Sequence, residues 1–308
     1  MGSPALKAAL AAAAMCLLTA GLVTAAPAQD TEGVGRLAGT LQKINATHTI
    51  VIGFREASLP FSYLGGAGQP IGYSIDICQE IVKDVRTELG TDAIELKYQP
   101  VDTQTRIPSV VDGTIDLECG TTTNNTERQK QVSFSPVIFL SGTKLAVQRS
   151  SRFRSYRDLK GRTVAVTPAS TNQAAIEALN ASEGMNLTIQ VVPGNIQALE
   201  AVATGKADAW AGDDAVLFAA IAESANPHGF KVLDEFLSYD PYGIMYRRND
   251  PEFGALVNRT FERLAQTREL ARIYAQWFQR KLPSGKVLGI AMSPQLESIF
   301  ESLGQPTE

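Results

Sequence analysis

Apolar residues along this chain fall in short β-rich runs, each followed by a segment of helical spacing, and that order occurs twice. Thr49–Gly53 is an apolar, β-branched run that stops at Phe54-Arg55-Glu56. Thr163–Thr167 is a similar run that stops at Pro168-Ala169-Ser170-Thr171. After a loop, a helix-like segment follows each, Ser74–Leu89 in the first half and Asn172–Leu179 in the second. Strand, loop and helix in that order predict parallel sheets covered by helices.

A second pattern is sharper. Gly113-Thr114-Ile115-Asp116-Leu117-Glu118-Cys119-Gly120 has the spacing of Gly205-Lys206-Ala207-Asp208-Ala209-Trp210-Ala211-Gly212. Both read as a turn glycine, a short strand and a second glycine. Both follow a helical stretch, near Ile107–Val111 and near Ile196–Thr204. Thr103 and Asn195 stand at matching positions ahead of the first glycine, each a predicted helix N-cap. Thr121 and Asp213 stand directly after the second glycine. The expected fold is α/β and two-lobed, with two mixed sheets flanked by helices. One lobe takes residues 29–140 and 239–308, the other residues 143–236. The β-like segment Ser238–Arg247 returns the chain to the first lobe, and helices at Glu262–Phe278 and Pro294–Leu303 complete it. Two crossings make two hinge strands.

The N-terminus changes the picture of where the chain works. Lys7 precedes an uncharged, Ala-rich stretch from Ala8 to Ala28 that closes in Ala26-Pro27-Ala28. Residues 1–28 therefore read as a signal peptide cleaved near Ala28, and the chain as periplasmic. Cys16 follows Met15 where a lipoprotein site needs a small residue. The remaining chain carries 27 basic and 32 acidic residues, a charge of −5, which does not fit a nucleic-acid binder. Cys78 and Cys119 remain. In an oxidising compartment an even pair suggests a disulfide, while two buried free thiols stay an open alternative.

In open α/β sheets, ligands meet the carboxyl ends of strands. Arg55, Thr121, Thr123, Thr171 and Asp213 fall at such ends or at the helix starts after them. Thr103 and Asn195 sit at predicted helix N-termini, where backbone N–H groups favour anions. Arg106 lies one turn into the first of these helices, and Arg128 follows the polar run Thr121–Thr126. Three arginines, several threonines and one aspartate suit a small dianionic amino acid: carboxylates need Arg forks, and an ammonium needs a carboxylate and hydroxyls. A sugar site calls for stacking aromatics, and the chain has two Trp. With two histidines, His48 and His228, a metal cluster or a His-based triad is not expected. No Gly-rich phosphate loop ends in Gly-Lys-Ser/Thr, and no cofactor is expected.

Gly53–Tyr63, Arg106-Ile107-Pro108 and Glu118–Gln129 resemble the glutamate/aspartate-binding proteins of polar amino-acid ABC importers, solute-binding protein family 3. So do Asp158-Leu159-Lys160-Gly161, Asp213-Asp214 and Tyr242-Gly243, and the resemblance runs from about Gly39 to Leu303. It implies a Venus-flytrap periplasmic-binding-protein fold, no catalysis, and delivery of L-glutamate or L-aspartate by a monomer to an ABC importer permease. By position, Thr123, Arg128 and Thr171 are implied to hold the α-carboxylate, Thr121 and Asp213 the ammonium, and Arg55, Thr103 and Arg106 the side-chain carboxylate. Asn195 stands where close relatives carry His, which implies weaker discrimination and less change in affinity between pH 5 and 8. The alternative readings are a broader polar amino-acid binder that includes glutamine and asparagine, or a same-fold enzyme such as a dehydratase.

Overall fold

The first apolar run forms the strand Thr49–Phe54, second in a five-stranded sheet. The computed structural model describes residues 37–305, so the signal-peptide expectation for residues 1–28 lies outside the described residues. The sheet order is Glu95–Pro100, Thr49–Phe54, Leu117–Cys119, Met245–Arg247, Val132–Phe134. The first three strands are parallel, and Met245–Arg247 is antiparallel to both its neighbours. The second sheet has the same plan: Thr188–Val191, Thr163–Val166, Ala209–Asp213, Thr143–Gln148, Phe230–Val232. Again three are parallel and the fourth runs against both neighbours. The fold is α/β and two-lobed, one mixed sheet flanked by helices to each lobe.

The repeated glycines do the same work in both lobes. Gly113 (φ 79°) and Gly205 (φ 73°) take the left-handed conformation that lets the chain leave a helix, Arg106–Val111 or Asn195–Ala203, and turn into the next strand. Helix Tyr73–Glu88 buries Tyr73, Ile77, Ile81 and Val85, one face at four-residue spacing, within the same core cluster as Ile50 and Ile52 of the first sheet. A disulfide joins Cys78 of this helix to Cys119 at the end of the central strand, Cα atoms 6.3 Å apart. The second sheet packs Val164, Val166, Ala209, Ala211, Leu145 and Val147 into its own cluster.

Two short strands lie between the sheets. Phe139–Ser141 leads out, Asp240–Tyr242 leads back, and they pair antiparallel with Asp240 opposite Ser141. A Cβ on Gly142 would lie 2.3 Å from Ser238 O, so only glycine fits where the crossings meet. The β-like run at Ser238–Arg247 thus divides at Gly243 into a crossing strand and a sheet strand.

The expected helix at Glu262–Phe278 differs more. It begins earlier, at Pro251, where Asp250 accepts from Phe253 N and proline fits the first turn, and it ends at Gln266. Arg268 (φ 58°) breaks the run, which resumes as Glu269–Tyr274 and a π-helical turn, Ala275–Gln279. The cap assignments are also corrected. Thr105 and Gly194, not Thr103 and Asn195, are the N-caps, and neither makes a side-chain capping bond.

Candidate functional site

Each candidate side chain is placed by a strand end. Arg55 follows Thr49–Phe54; Thr103 and Arg106 follow Glu95–Pro100; Thr121 follows Leu117–Cys119. From the second sheet, Thr171 opens the helix after Thr163–Val166, Asn195 opens the helix after Thr188–Val191, and Asp213 ends its own strand. These seven residues line one small cavity together with Ser58, Thr167, Ser170, Asn172 and Val216. Thr123 and Arg128 are not on that wall but adjoin it. Thr123 Oγ1 lies 3.3 Å from Thr171 Oγ1, and Arg128 Nη1 donates to Thr123 O at 3.0 Å.

The three arginines are all buried. Burial lowers the pKa of each, and the Arg106 charge helps bring Arg55 and Arg128 down to about 10. They remain cations at neutral pH, held close together out of water. Arg106 Nη1 donates to Thr122 Oγ1 at 2.7 Å, which donates to Glu118 Oε2 at 2.8 Å. Gly120 makes room for the cluster: a Cβ there would meet Glu118 Oε1 at 2.2 Å and Arg55 Cγ at 2.9 Å. Arg106 Nε and Asp213 Oδ1, buried atoms of two cavity residues, have no hydrogen-bond partner. Burying unpaired polar atoms is costly, so a polar partner that reached these two from the cavity would relieve that cost.

Asp213 is the most perturbed acid. Burial, and then the negative charge of Asp240, push it up to about 7. The cavity therefore combines two fixed positive charges on its wall, and a third beside it, with one carboxylate that titrates near neutrality. That titration falls within the range where the neutral Asn195 implies little change.

Sequence reasoning missed the support behind the site. Thr123 Oγ1 donates to Asp240 Oδ1 at 3.0 Å, and Ser238 Oγ bonds both Asp240 and Thr143 Oγ1. Thr143 Oγ1 donates to Asn172 Oδ1 at 2.7 Å. This chain of buried and half-buried groups runs through the crossing strands from one lobe to the other. Its members lie up to 117 residues apart, so no local spacing marks them. The remaining signal was Tyr242-Gly243, which adjoins it. Among the described residues, no group of three His, Cys, Asp or Glu could hold a metal ion.

The chain is 38% identical over 268 residues to the L-glutamate/L-aspartate-binding protein of Pseudomonas aeruginosa, covering 86% of this chain and 89% of that one. It is 34% identical over 286 residues to the glutamate/aspartate import solute-binding protein of Salmonella typhimurium, covering 92% and 93%. Among solved structures, an ancestral arginine-binding protein bound to arginine matches with TM-score 0.68 and 27% identity, over 75% of this chain and 98% of that chain. A match spans residues 50–280 in the family model of bacterial extracellular solute-binding proteins, family 3, and the chain belongs to that family.

Proposed function

We propose that this protein captures L-glutamate or L-aspartate in the periplasm and hands it, as a monomer, to the permease of an ABC importer. The observation that carries this reading is the gathering of two buried guanidiniums, Arg55 and Arg106, and the Asp213 carboxylate with one unpaired oxygen on the wall of a single small cavity between two sheets, with a third buried guanidinium, Arg128, adjoining it. A dianion with one ammonium matches that charge pattern, and a neutral side-chain amide leaves a guanidinium poorly paired. Arg128 and Thr171 face the α-carboxylate. Thr123 gives its hydroxyl proton to Asp240, so it serves the carboxylate through its backbone N–H, while its hydroxyl oxygen accepts from Thr171 Oγ1. Thr121 and Asp213 take the ammonium, and Arg55, Thr103 and Arg106 take the side-chain carboxylate. The names of the relatives support both the ligand class and the import role. The crossing strands support lobe limits of residues 29–140 with 239–308 and residues 143–236.

Binding proceeds without turnover. Neither His48 nor His228 lines the cavity, and Asp240, the acid whose charge acts most on Asp213, is itself tied to Thr123 and Ser238. Calorimetric titration across the common amino acids tests the reading. Saturable one-to-one binding of glutamate or aspartate, with no product formed from arogenate or prephenate, is the expected result. A preference for glutamine, or turnover of either compound, overturns it.

A further inference from the structure

Asn195 opens its helix on the cavity wall, yet its side chain is committed elsewhere. Asn195 Nδ2 donates to Ala57 O at 3.0 Å, across 138 residues of sequence. Ala57 belongs to the strand Ala57–Ser58, which pairs with Ser62–Leu64 in a small ribbon two residues beyond Arg55. The contact therefore joins the start of a helix in the second lobe to the main chain of the first. An amide meets a carbonyl only through its nitrogen, so the contact sets the orientation of the Asn195 side chain. The helix does not need that side chain for capping, since Gly194 is its N-cap.

We propose that Asn195 is a latch for lobe closure, a positioning residue that tightens the grip on every ligand by a common factor instead of choosing among ligand side chains. The inference rests on the cavity being the ligand site. A hydrogen bond that forms when the lobes meet favours the closed arrangement by its differential contact. Its acceptor is a backbone carbonyl, which is the same whatever ligand lies inside. A charged residue at this position adds a field toward the ligand; the neutral amide adds closure alone.

The test titrates glutamate, aspartate, glutamine and asparagine into wild type, Asn195→Ala and Asn195→Asp, with thermal melts to confirm folding. Asn195→Ala is expected to weaken each bound ligand by a shared factor of about three to ten, mostly through faster release. Asn195→Asp sets a carboxylate against a carbonyl and weakens all of them further. A shift of more than threefold in the ratio of acidic to amide ligands in Asn195→Ala overturns the latch, as do unchanged affinities in both variants. A second arm does not depend on the ligand. Ala57→Cys combined with Asn195→Cys is expected to cross-link on oxidation or with a short thiol-reactive bridge, seen by mass spectrometry; failure to do so overturns the contact. If wild type binds none of the four ligands, the ligand assignment fails, and the cross-link still judges the latch.

Discussion

In the first lobe, Asp116 N donates to Val51 O while Asp116 Oδ2 accepts from Val51 N, locking the central strand to its neighbour. In the second, Asp208 makes the same pair of bonds with Thr163. The wiring is the same in both lobes, and the residues one step further along differ. After the matched glycines, one lobe places Thr121 and the other Asp213. The first lobe supplies Arg55, Arg106 and Arg128, and ties its strand to a helix through Cys119; the second has Ala211 at that point and supplies the acid. The two strand-end platforms follow one plan, and the cavity lies where their unequal ends face each other. On the proposed reading, a ligand with both signs of charge would meet cations from one side and an anion from the other, which would couple binding to closure.

The division is broken most severely at Arg128. Truncating one partner of a buried charged pair costs about 2–5 kcal/mol, so Arg128→Ala should abolish measurable binding of every amino acid in calorimetry. Retained affinity for glutamate would remove the first lobe's claim to the α-carboxylate.

The disulfide asymmetry is tested by stability. Cys78 and Cys119 are 41 residues apart, and closing a loop of that size is worth about 4 kcal/mol in the chain-entropy estimate. Cys78→Ser with Cys119→Ser should lower the denaturant midpoint accordingly, with ligand affinity nearly intact if the refolded lobe keeps its geometry. A loss of affinity without loss of stability would show that the bond shapes the site instead of bracing the lobe.

The second lobe's acid predicts a pH effect. Asp213 is raised to about 7 by burial and Asp240, and a bound ammonium lowers it again by favouring the charged form. Binding therefore expels a proton below pH 7. Affinity for glutamate should be flat above about pH 7 and fall by up to about tenfold per unit below it. Asp213→Asn should bind weakly and flatten the profile. A wild-type affinity constant from pH 5 to 8 would place the ammonium away from Asp213.

The smallest effect separates the twin aspartates. Asp116 is buried and also accepts from Lys43, while Asp208 is more exposed and lies 4.0 Å from Arg162. Asp116→Ala should cost about 2–3 kcal/mol and Asp208→Ala about 1 kcal/mol in chemical denaturation. Equal losses would mean that the strand-locking bonds outweigh the surrounding charge.

Thr49–Phe54, Leu117–Cys119, Thr163–Val166, Ala209–Asp213 and the returning Met245–Arg247 were legible because apolar runs, turn glycines and the repeated Gly-x-x-Asp spacing are local signals, whereas the other five strands of the two sheets carry no such mark. Seven cavity residues were legible as positions, since strand ends and the residues after them project to one edge. Asp240, Ser238, Thr143 and Asn172 were not, because each acts through a partner brought close by the crossings and none sits in a pattern its neighbours reveal. Asn195 illustrates the limit well. Its place at a helix start follows from spacing, but the carbonyl it meets lies in the other lobe, and nothing near position 195 encodes Ala57.

The strand Met245–Arg247 lies between Leu117–Cys119 and Val132–Phe134, yet 110 residues of chain separate it from the nearer of them. The first sheet cannot close until that late strand arrives, and until then Val132–Phe134 lacks the neighbour that joins it to the parallel strands. The second lobe is complete in sequence well before the first. Such long-range pairing slows folding and reverses the usual N-to-C order in which lobes mature. The first-lobe side of the cavity, with its arginines, is therefore expected to settle last, after Thr171 and Asp213 already have their sheet.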